Sequence, residues 1–419
     1  MTLIMDQNSV NYCSRCLYPD THPLGLVLDD EGICSGCRVH EEKNLLDWRA
    51  RWSALKALVK HYRVADGSTY DCVVPVTGAN DSYFIVHLVK EKLGLNPLLV
   101  TYNKYFNTPL GVRNLANLRI KSDCDILIQN VNPLAVKKIT RTTIREFGSI
   151  YWHCIAGQTV FPVQTAIRYG IPLIIWGAHQ GLEQVGMFSH EHNVEMTRRY
   201  RKDHDLMGYE ADDLLNTFDT LGEDDIWQFR YPDDADIQRV GVRGIYLGNY
   251  VRWDPKAQHE QMIASYDYQS ASFSRTFDTY DHVDCYNYMG LHDHIKLCKH
   301  GYGKIVDHAC REIRHGRISR RSAAVLVSQQ LGGDPPFIEN FCKWLGIDRK
   351  GLLFAIDQHR NPKFWNFNEM GRWEFLLDFG VEIEEPYCAD STQDLRFVSS
   401  HTLNLHKPTA YITIGKGVC

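Results

Sequence analysis

Apolar positions along the chain follow two rhythms, and the change from one to the other divides it. Short, almost uninterrupted apolar runs at residues 70–76, 97–102, 125–129 and 171–176 alternate with longer stretches in which apolar positions recur every three to four residues. The runs read as buried strands and the stretches as helices, so the middle of the chain predicts a doubly wound α/β domain with a parallel sheet. A further strand is expected over 245–253, ending at Asp254-Pro255. Before this domain, Leu45, Leu46, Trp48, Trp52, Leu55, Leu58 and Val59 sit at helical spacing within residues 41–61, an amphipathic linker helix that would dock what precedes it. After it, residues 291–300, 305–315, 319–330 and 335–345 carry helical periodicity, and 361–419 is aromatic-rich without a readable pattern. The expected divisions are 1–45, a linker at 46–66, the α/β domain at 67–255 and a mainly helical region at 256–419.

Of the 419 residues, 44% are hydrophobic and 23% charged, which is ordinary for a folded chain, and the formal net charge is −5. No global basic field gathers nucleic acid, so that partner is not expected. No run of 18 or more apolar residues exists and the first residues lack a signal-peptide layout, so membrane insertion is not expected and a cytoplasmic location is. Residues 203–236 are acidic and predict a solvated, partly helical insertion, with a docking surface as the bolder reading.

Nine of the thirteen cysteines are scattered singly; the other four form Cys13-x2-Cys16 and Cys34-x2-Cys37, the spacing of a four-thiolate zinc site. A short strand and turn over 24–32 between the pairs predicts a zinc-ribbon-like knot. Four protein ligands leave no open coordination position, so the Zn²⁺ would be structural.

Residues 77–82, Thr-Gly-Ala-Asn-Asp-Ser, follow the first strand of the sheet, where small residues let backbone N–H groups approach an anion. They resemble the SGGxDS loop of the adenine-nucleotide alpha-hydrolase superfamily, the PP-loop ATP pyrophosphatases. A plain capped strand-to-helix turn is the bland alternative. More of the chain resembles one branch. The cysteine knot with Tyr18 to Thr21, the stretches 74–83, 171–177 and 249–255, Gly290 to His294, Gly301 to Lys304, Asp307-His308 and Ile313 to Arg317 together are similar to the N-acetyl sugar amidotransferases of surface-polysaccharide (lipopolysaccharide, O-antigen) biosynthesis.

That resemblance implies conversion of a sugar N-acetyl group to an acetamidino group with ATP and Mg²⁺, through an O-adenylyl intermediate. It also implies ammonia from a separate glutaminase and barrel pair resembling imidazole glycerol phosphate synthase. Thr77, Gly78, Ala79, Asn80, Asp81 and Ser82 would hold the phosphates, with Asp81 toward Mg²⁺ and Ser82 as a donor. Val100 and Thr101 would meet adenine, and Gly177 offers a second approach. Glu183, just beyond it with His179 and Gln180, is a candidate catalytic residue, with ordinary loop polarity as the alternative. Ala79 and Asn80 stand where the family loop has glycine and lysine; a methyl group there could forbid a positive φ and disable the loop. His292, Asp293, Lys304, Asp307, His308, Arg311, Arg314 and Arg317 form a dense polar group for an anionic sugar, with Lys304 as the catalytic cation and His292, Asp293, His308 and Arg314 as binding residues. A metal at His292, His294 and His308 is a weaker reading. The alternatives are a tRNA sulfur-transfer enzyme, which would need free cysteines near the nucleotide and a basic surface, and a disabled binding member of the amidotransferases.

Overall fold

In the computed structural model, residues 10–380 are described, apart from 274, 281–284, 286–289, 333–334 and 377. Five short strands, β1 (Cys72–Pro75), β2 (Pro97–Tyr102), β3 (Ile126–Gln129), β4 (Leu173–Trp176) and β5 (Arg243–Tyr246), form one sheet in the order β3-β2-β1-β4-β5. All pairings are parallel. Strand alternation splits the apolar residues between two cores. Cys72, Val74, Leu99, Leu173 and Ile175 face one layer, whereas Val73, Leu98, Val100 and Ile174 face the other.

The first layer consists of α2 (Trp48–Lys60), α3 (Asn80–Val86, continued by a π turn His87–Lys92), α4 (Pro109–Ser122) and α8 (Pro255–Tyr266); on the second face lies α6 (Trp152–Tyr169). Helix α5 (Pro133–Phe147) and the inner side of α6 share a third core with α9 (Leu291–His300), α12 (Ile338–Leu345) and α13 (Arg349–Asp357). Because β1 leads to β2 on one side and β4 lies on its other side, the crevice beyond the C-terminal ends of β1 and β4 is the place where such a sheet receives a ligand.

The structure corrects several expectations. The helix predicted over 41–61 is α2, which starts only at Trp48 because Asp47 caps it by accepting from Arg49 N (3.0 Å) and Ala50 N (3.0 Å), while Glu41 and Glu42 end a separate helix, α1 (Ser35–Glu42). The knot contains isolated bridges, Tyr12 with Pro19 and Leu28 with Cys34, in place of a strand. Its docking partner is not chiefly the linker: Leu17, Tyr18, Leu26 and Ile33 are buried against Tyr302, Ile305, Val306 and Ala309 of α10 (Lys304–Arg314) and its approach, and against Ala323 and Val327 of α11 (Arg320–Gln330). The strand at 245–253 stops at Tyr246 and gives way to a 3₁₀ turn Leu247–Asn249. The mainly helical C-terminal region also holds a hairpin, β6 (Trp365–Phe367) with β7 (Trp373–Phe375); the part of it beyond 380 lies outside the described residues.

The acidic segment is partly helical as expected, but one side of it is packed into the fold. Leu206, Leu214, Leu221, Ile226 and Phe229 are buried in the third core, and the acids, of which Asp212 and Glu223 stay exposed, pair with basic side chains inside and outside the segment. Glu210 takes Arg198 (2.7 Å) and Arg201 (2.7 Å), Asp213 takes Lys202 (2.8 Å), Asp212 and Glu223 take Arg230 (2.7 Å each), and Asp225 takes Lys138 (3.1 Å).

Candidate functional site

A cavity of about 310 Å³ lies at the crevice. Its floor is the loop after β1, with Thr77, Ala79, Asn80, Asp81 and Ser82 on its wall; Val100 and Thr101 end β2 beside it, and Gly177 closes it from β4. Sequence-predicted nucleotide residues are thus brought together by topology alone. The loop is held by its own side chains: Thr77 N–H donates to Ser82 Oγ (2.8 Å) and Ala79 N–H to Thr77 Oγ1 (3.0 Å). Gly78 presses against the start of α4, where a Cβ would fall 2.2 Å from Gly111 O.

Ala79 has φ −87°, an extended conformation open to any residue. The expectation that its methyl group would strain the loop is therefore corrected, since no residue of 77–82 has a positive φ. Asn80 is turned inward, with its amide donating to His259 Nδ1 (2.9 Å) and its carbonyl oxygen accepting Asp81 N–H. His259 Nε2 then faces Asp81 Oδ1 at 3.4 Å, and the Asp81 carboxylate is half exposed at the cavity mouth. His259, from α8, has no local sequence signal. Gln180, at the start of α7 (Gln180–Glu183), faces the cavity where Glu183 was expected.

Glu183 lies elsewhere, paired with Lys43, whose side chain is 1% exposed and which also reaches Trp253 O. It pins the end of the knot region to the sheet domain. Glu183→Gln is expected to lower stability by about 1–3 kcal/mol, because it leaves a buried ammonium less well matched. Thermal unfolding measures that loss, while turnover per folded molecule should stay within about twofold of the parent; a large loss of turnover at unchanged stability would restore Glu183 to the chemistry.

A second cavity, about 230 Å³, adjoins the first and shares Tyr151, Ile155 and Gln180 with it. His292, Asp293 and Lys304 line it as expected, joined by Arg275, Lys296 and Lys299. Asp293 accepts Lys304 N–H (2.6 Å) and lies 3.7 Å from Arg275, which fixes the start of α10. Asp307 is spent on Lys296 (2.6 Å), Tyr18 Oη (2.9 Å) and Gln184 (2.8 Å), and against the upward push of burial Lys296 and Lys304 hold its carboxyl well below the usual range. Burial, assisted by Lys296, pushes His292 down to about 3, so it is a neutral imidazole here; burial brings Lys299 down to about 8. Four cations, Arg275, Lys296, Lys299 and Lys304, thus face three carboxylates, Asp205, Asp293 and Asp307. A third cavity of about 180 Å³, lined by His179, Tyr200, Arg201, Asp205 and Tyr246, also reaches Ile155 and Gln180.

Two residues assigned to the sugar lie outside the second cavity. His308 is buried, with Nδ1 on Thr276 Oγ1 (2.6 Å) and Nε2 3.8 Å from Asp278. Asp278 also takes Arg311 (2.6 Å), while Glu312 takes Arg317 (2.9 Å), so this part of the polar group is an internal ion network. Arg314 points to the knot: it lies over the Tyr18 ring at 5.4 Å, donates to Gln184 O (2.7 Å), and reaches Cys37 Sγ (3.4 Å) and Cys34 Sγ (3.5 Å).

The four cysteine sulfurs lie within 4.8 Å of one another, all buried, and are the only such metal-ligating set among the described residues. Cys13 Sγ accepts N–H groups from Arg15 (3.4 Å), Cys16 (3.3 Å) and Cys34 (3.2 Å). Converging thiols supported by N–H donors and a guanidinium suit a thiolate-bound Zn²⁺. No cluster joins His292, His294 and His308.

Residues 274–379 match the family described as "LPS biosynthesis protein WbpG-like, C-terminal domain". An uncharacterized protein of Methanocaldococcus jannaschii is 25% identical over 121 residues, 28% of this chain; the match spans 42% of that relative's length. Among solved structures, an NH3-dependent NAD synthetase from Campylobacter jejuni aligns at 12% identity and TM-score 0.28, over 46% of this chain and 92% of that one. An NMN synthetase from Francisella tularensis aligns at 13% identity and TM-score 0.27, over 52% and 96%. Among the described residues no helix is long and apolar enough to cross a membrane.

Proposed function

From the match of residues 274–379 to the family described as the WbpG-like C-terminal domain of LPS biosynthesis proteins, we propose that this chain is an ATP-dependent sugar amidotransferase. It replaces the oxygen of an N-acetyl group by nitrogen, giving an acetamidino sugar, AMP and pyrophosphate. The observation that carries the reading is the common wall of Tyr151, Ile155 and Gln180 between a loop-floored cavity and a cation-lined one.

An amide oxygen leaves only once it is activated, so the two substrates must meet in line. In this reading the phosphates lie over residues 77–82 and the adenine against Val100 and Thr101, while Arg275, Lys299 and Lys304 hold an anionic, nucleotide-linked sugar. The acetamido oxygen attacks the α-phosphate across the shared wall, pyrophosphate departs, and ammonia then displaces AMP from the imidate carbon. Mg²⁺, when bound, would neutralise phosphate charge, and the half-exposed Asp81 carboxylate would hold it. The third cavity gives ammonia its own way to Gln180. In this reading a partner glutaminase and barrel pair, implied by the resemblance of the sequence to the sugar amidotransferases, supplies that ammonia.

The test is phosphorus NMR of ATP and Mg²⁺ with the protein, ammonium and a panel of nucleotide-linked N-acetyl sugars. AMP and pyrophosphate are expected with one sugar and without the partner pair. Intact ATP with every sugar at high ammonium would overturn the proposal.

A further inference from the structure

Asp81 is the only acid in residues 77–82, and two buried side chains beside it, Asn80 (4% exposed) and His259 (1%), form a chain of hydrogen bonds that ends on its carboxylate. The chain has a direction. Asn80 Oδ1 accepts Asp81 N–H, which turns the amide nitrogen of Asn80 toward His259 Nδ1 (2.9 Å). An amide nitrogen donates and cannot accept, so His259 Nδ1 is the bare nitrogen of the ring and Nε2 carries the proton. Nε2 faces Asp81 Oδ1 (3.4 Å), where that proton finds its acceptor. The ring's one acceptor and one donor are thus both taken up by consecutive residues of the loop, although His259 lies 178 residues beyond Asp81.

The ring itself is held. It packs edge to face on the buried Tyr280 (centroids 5.2 Å apart, planes at 69°), and its helix α8 is fixed at the start by Asp254, which accepts Ala257 N–H (3.4 Å) and pairs with Arg317. Asp81 is the opposite case. Its side chain is half exposed, and among the described residues His259 is the only side chain that meets its carboxylate. One carboxylate oxygen is therefore anchored and the other is left to the cavity that Asp81 lines. Such an oxygen suits Mg²⁺, which proteins commonly hold by one or two carboxylates together with substrate phosphates.

We propose that Asn80 and His259 are positioning residues for Asp81: Asn80 sets the ring's proton on Nε2, and His259 uses that proton to hold the carboxylate toward the Mg²⁺ of the nucleotide. The inference rests on the nucleotide reading above. It gives the departure at Asn80 a use, since the residue in the place of the loop lysine serves the carboxylate beside it. A partner that orients a metal-binding side chain accounts for about tenfold to hundredfold in metal affinity.

The experiment has one reading without ligand and one with it. Nitrogen-15 NMR of the ring, identified by its loss in His259→Phe, should find the proton on Nε2 in the parent and shared between both nitrogens in Asn80→Leu. A parent ring protonated on Nδ1, or an Asn80→Leu ring still protonated on Nε2 alone, would overturn the part given to Asn80. Calorimetry then measures dissociation constants for ATP with Mg²⁺ and for metal-free ATP in the parent, His259→Phe, His259→Gln, Asp81→Asn and the double variant His259→Phe, Asp81→Asn. In His259→Phe, ATP with Mg²⁺ should weaken by at least about tenfold and metal-free ATP by no more than about twofold. His259→Gln, whose amide can still donate, should lose less, and the double variant should bind no more weakly than Asp81→Asn alone. Equal losses for the two forms of ATP, or a double variant weaker again than Asp81→Asn, would mean that the ring only packs the loop and would overturn the proposal. Failure of the parent to bind ATP in either form would overturn the nucleotide reading itself, a result distinct from the others.

Discussion

Replacing Cys34 by serine, or stripping the protein with a strong chelator, is expected to unfold the C-terminal helices together with the knot. The reason is that the two share one core. Cys13, Cys16, Leu17, Tyr18, Leu26, Ile33, Cys34 and Cys37 are buried with Ile305, Val306, Ala309, Cys310, Ile318, Ala323 and Val327. Polar ties cross the same boundary: Arg320 Nε donates to Cys13 O (3.1 Å) and Cys16 O (3.0 Å), and Tyr18 Oη to Asp307. The fit is close enough that a Cβ on Gly36 would fall 2.4 Å from Gln184 O, and one on Gly186, at φ +64°, 2.3 Å from Ser35 O.

Without the metal, the four sulfurs are left as mutually repelling thiolates or as neutral buried thiols, and in the second case the Arg314 guanidinium loses the negative thiolate cluster it packs against. Structural Zn²⁺ sites bind with about 10–16 kcal/mol of free energy in small zinc modules, as much as the whole stability of an ordinary domain. A drop of about 10 °C or more in melting temperature is therefore expected. Elemental analysis should find one Zn²⁺ per chain in the parent and none in Cys34→Ser. Cys310→Ser is the control. Its sulfur accepts Leu17 N–H (3.3 Å) beside the cluster but is outside the tetrad, so it should retain the metal. Zinc-free parent protein that melts at the same temperature would end this account.

The same boundary shows where sequence reading stops. The cysteine spacing, the buried strands and the small residues of 77–82 are local signals: the four sulfurs converge, and the parallel sheet brings the ends of β1, β2 and β4 to one cavity. Arg314 and His308 carried an equally visible charge, yet their partners are far away in the chain: Arg314 meets Cys34 across 280 residues. Nothing local states whether a basic residue on a helix faces a ligand or a buried acid. The acidic segment failed for a related reason. Its carboxylates were counted without Arg198, Arg201, Lys138 and Lys202, and its six buried apolar residues are spaced too irregularly for either rhythm.

Gly78→Ala should abolish the nucleotide chemistry, whereas Ala79→Gly should leave it nearly unchanged, although the two changes move one methyl group by one residue. At Gly78 the added Cβ would sit 2.2 Å from Gly111 O and 2.7 Å from its carbonyl carbon, both backbone atoms at the start of α4. The start of α4 cannot yield freely, because Thr108 caps the helix by accepting Gly111 N–H (2.9 Å) and Leu110 and Leu115 are buried in the first core. The loop must move into the cavity instead, away from the Thr77–Ser82 bond that shapes it. Such overpacking costs about 1–3 kcal/mol of stability, and a displacement near 1 Å of a positioning group costs on the order of 100-fold in rate. Ala79, at φ −87°, has its side chain on the cavity wall and no backbone constraint to relieve, so glycine there should change ATP cleavage by no more than about twofold. The comparison is made on pyrophosphate release with the accepted sugar, with the melting temperature of each variant as the measure of folding. Full activity in Gly78→Ala would separate the loop from the phosphates. A large gain in Ala79→Gly would return the strain to Ala79, against the extended backbone seen there, and would mark this chain as a weakened member whose loop lost its second glycine.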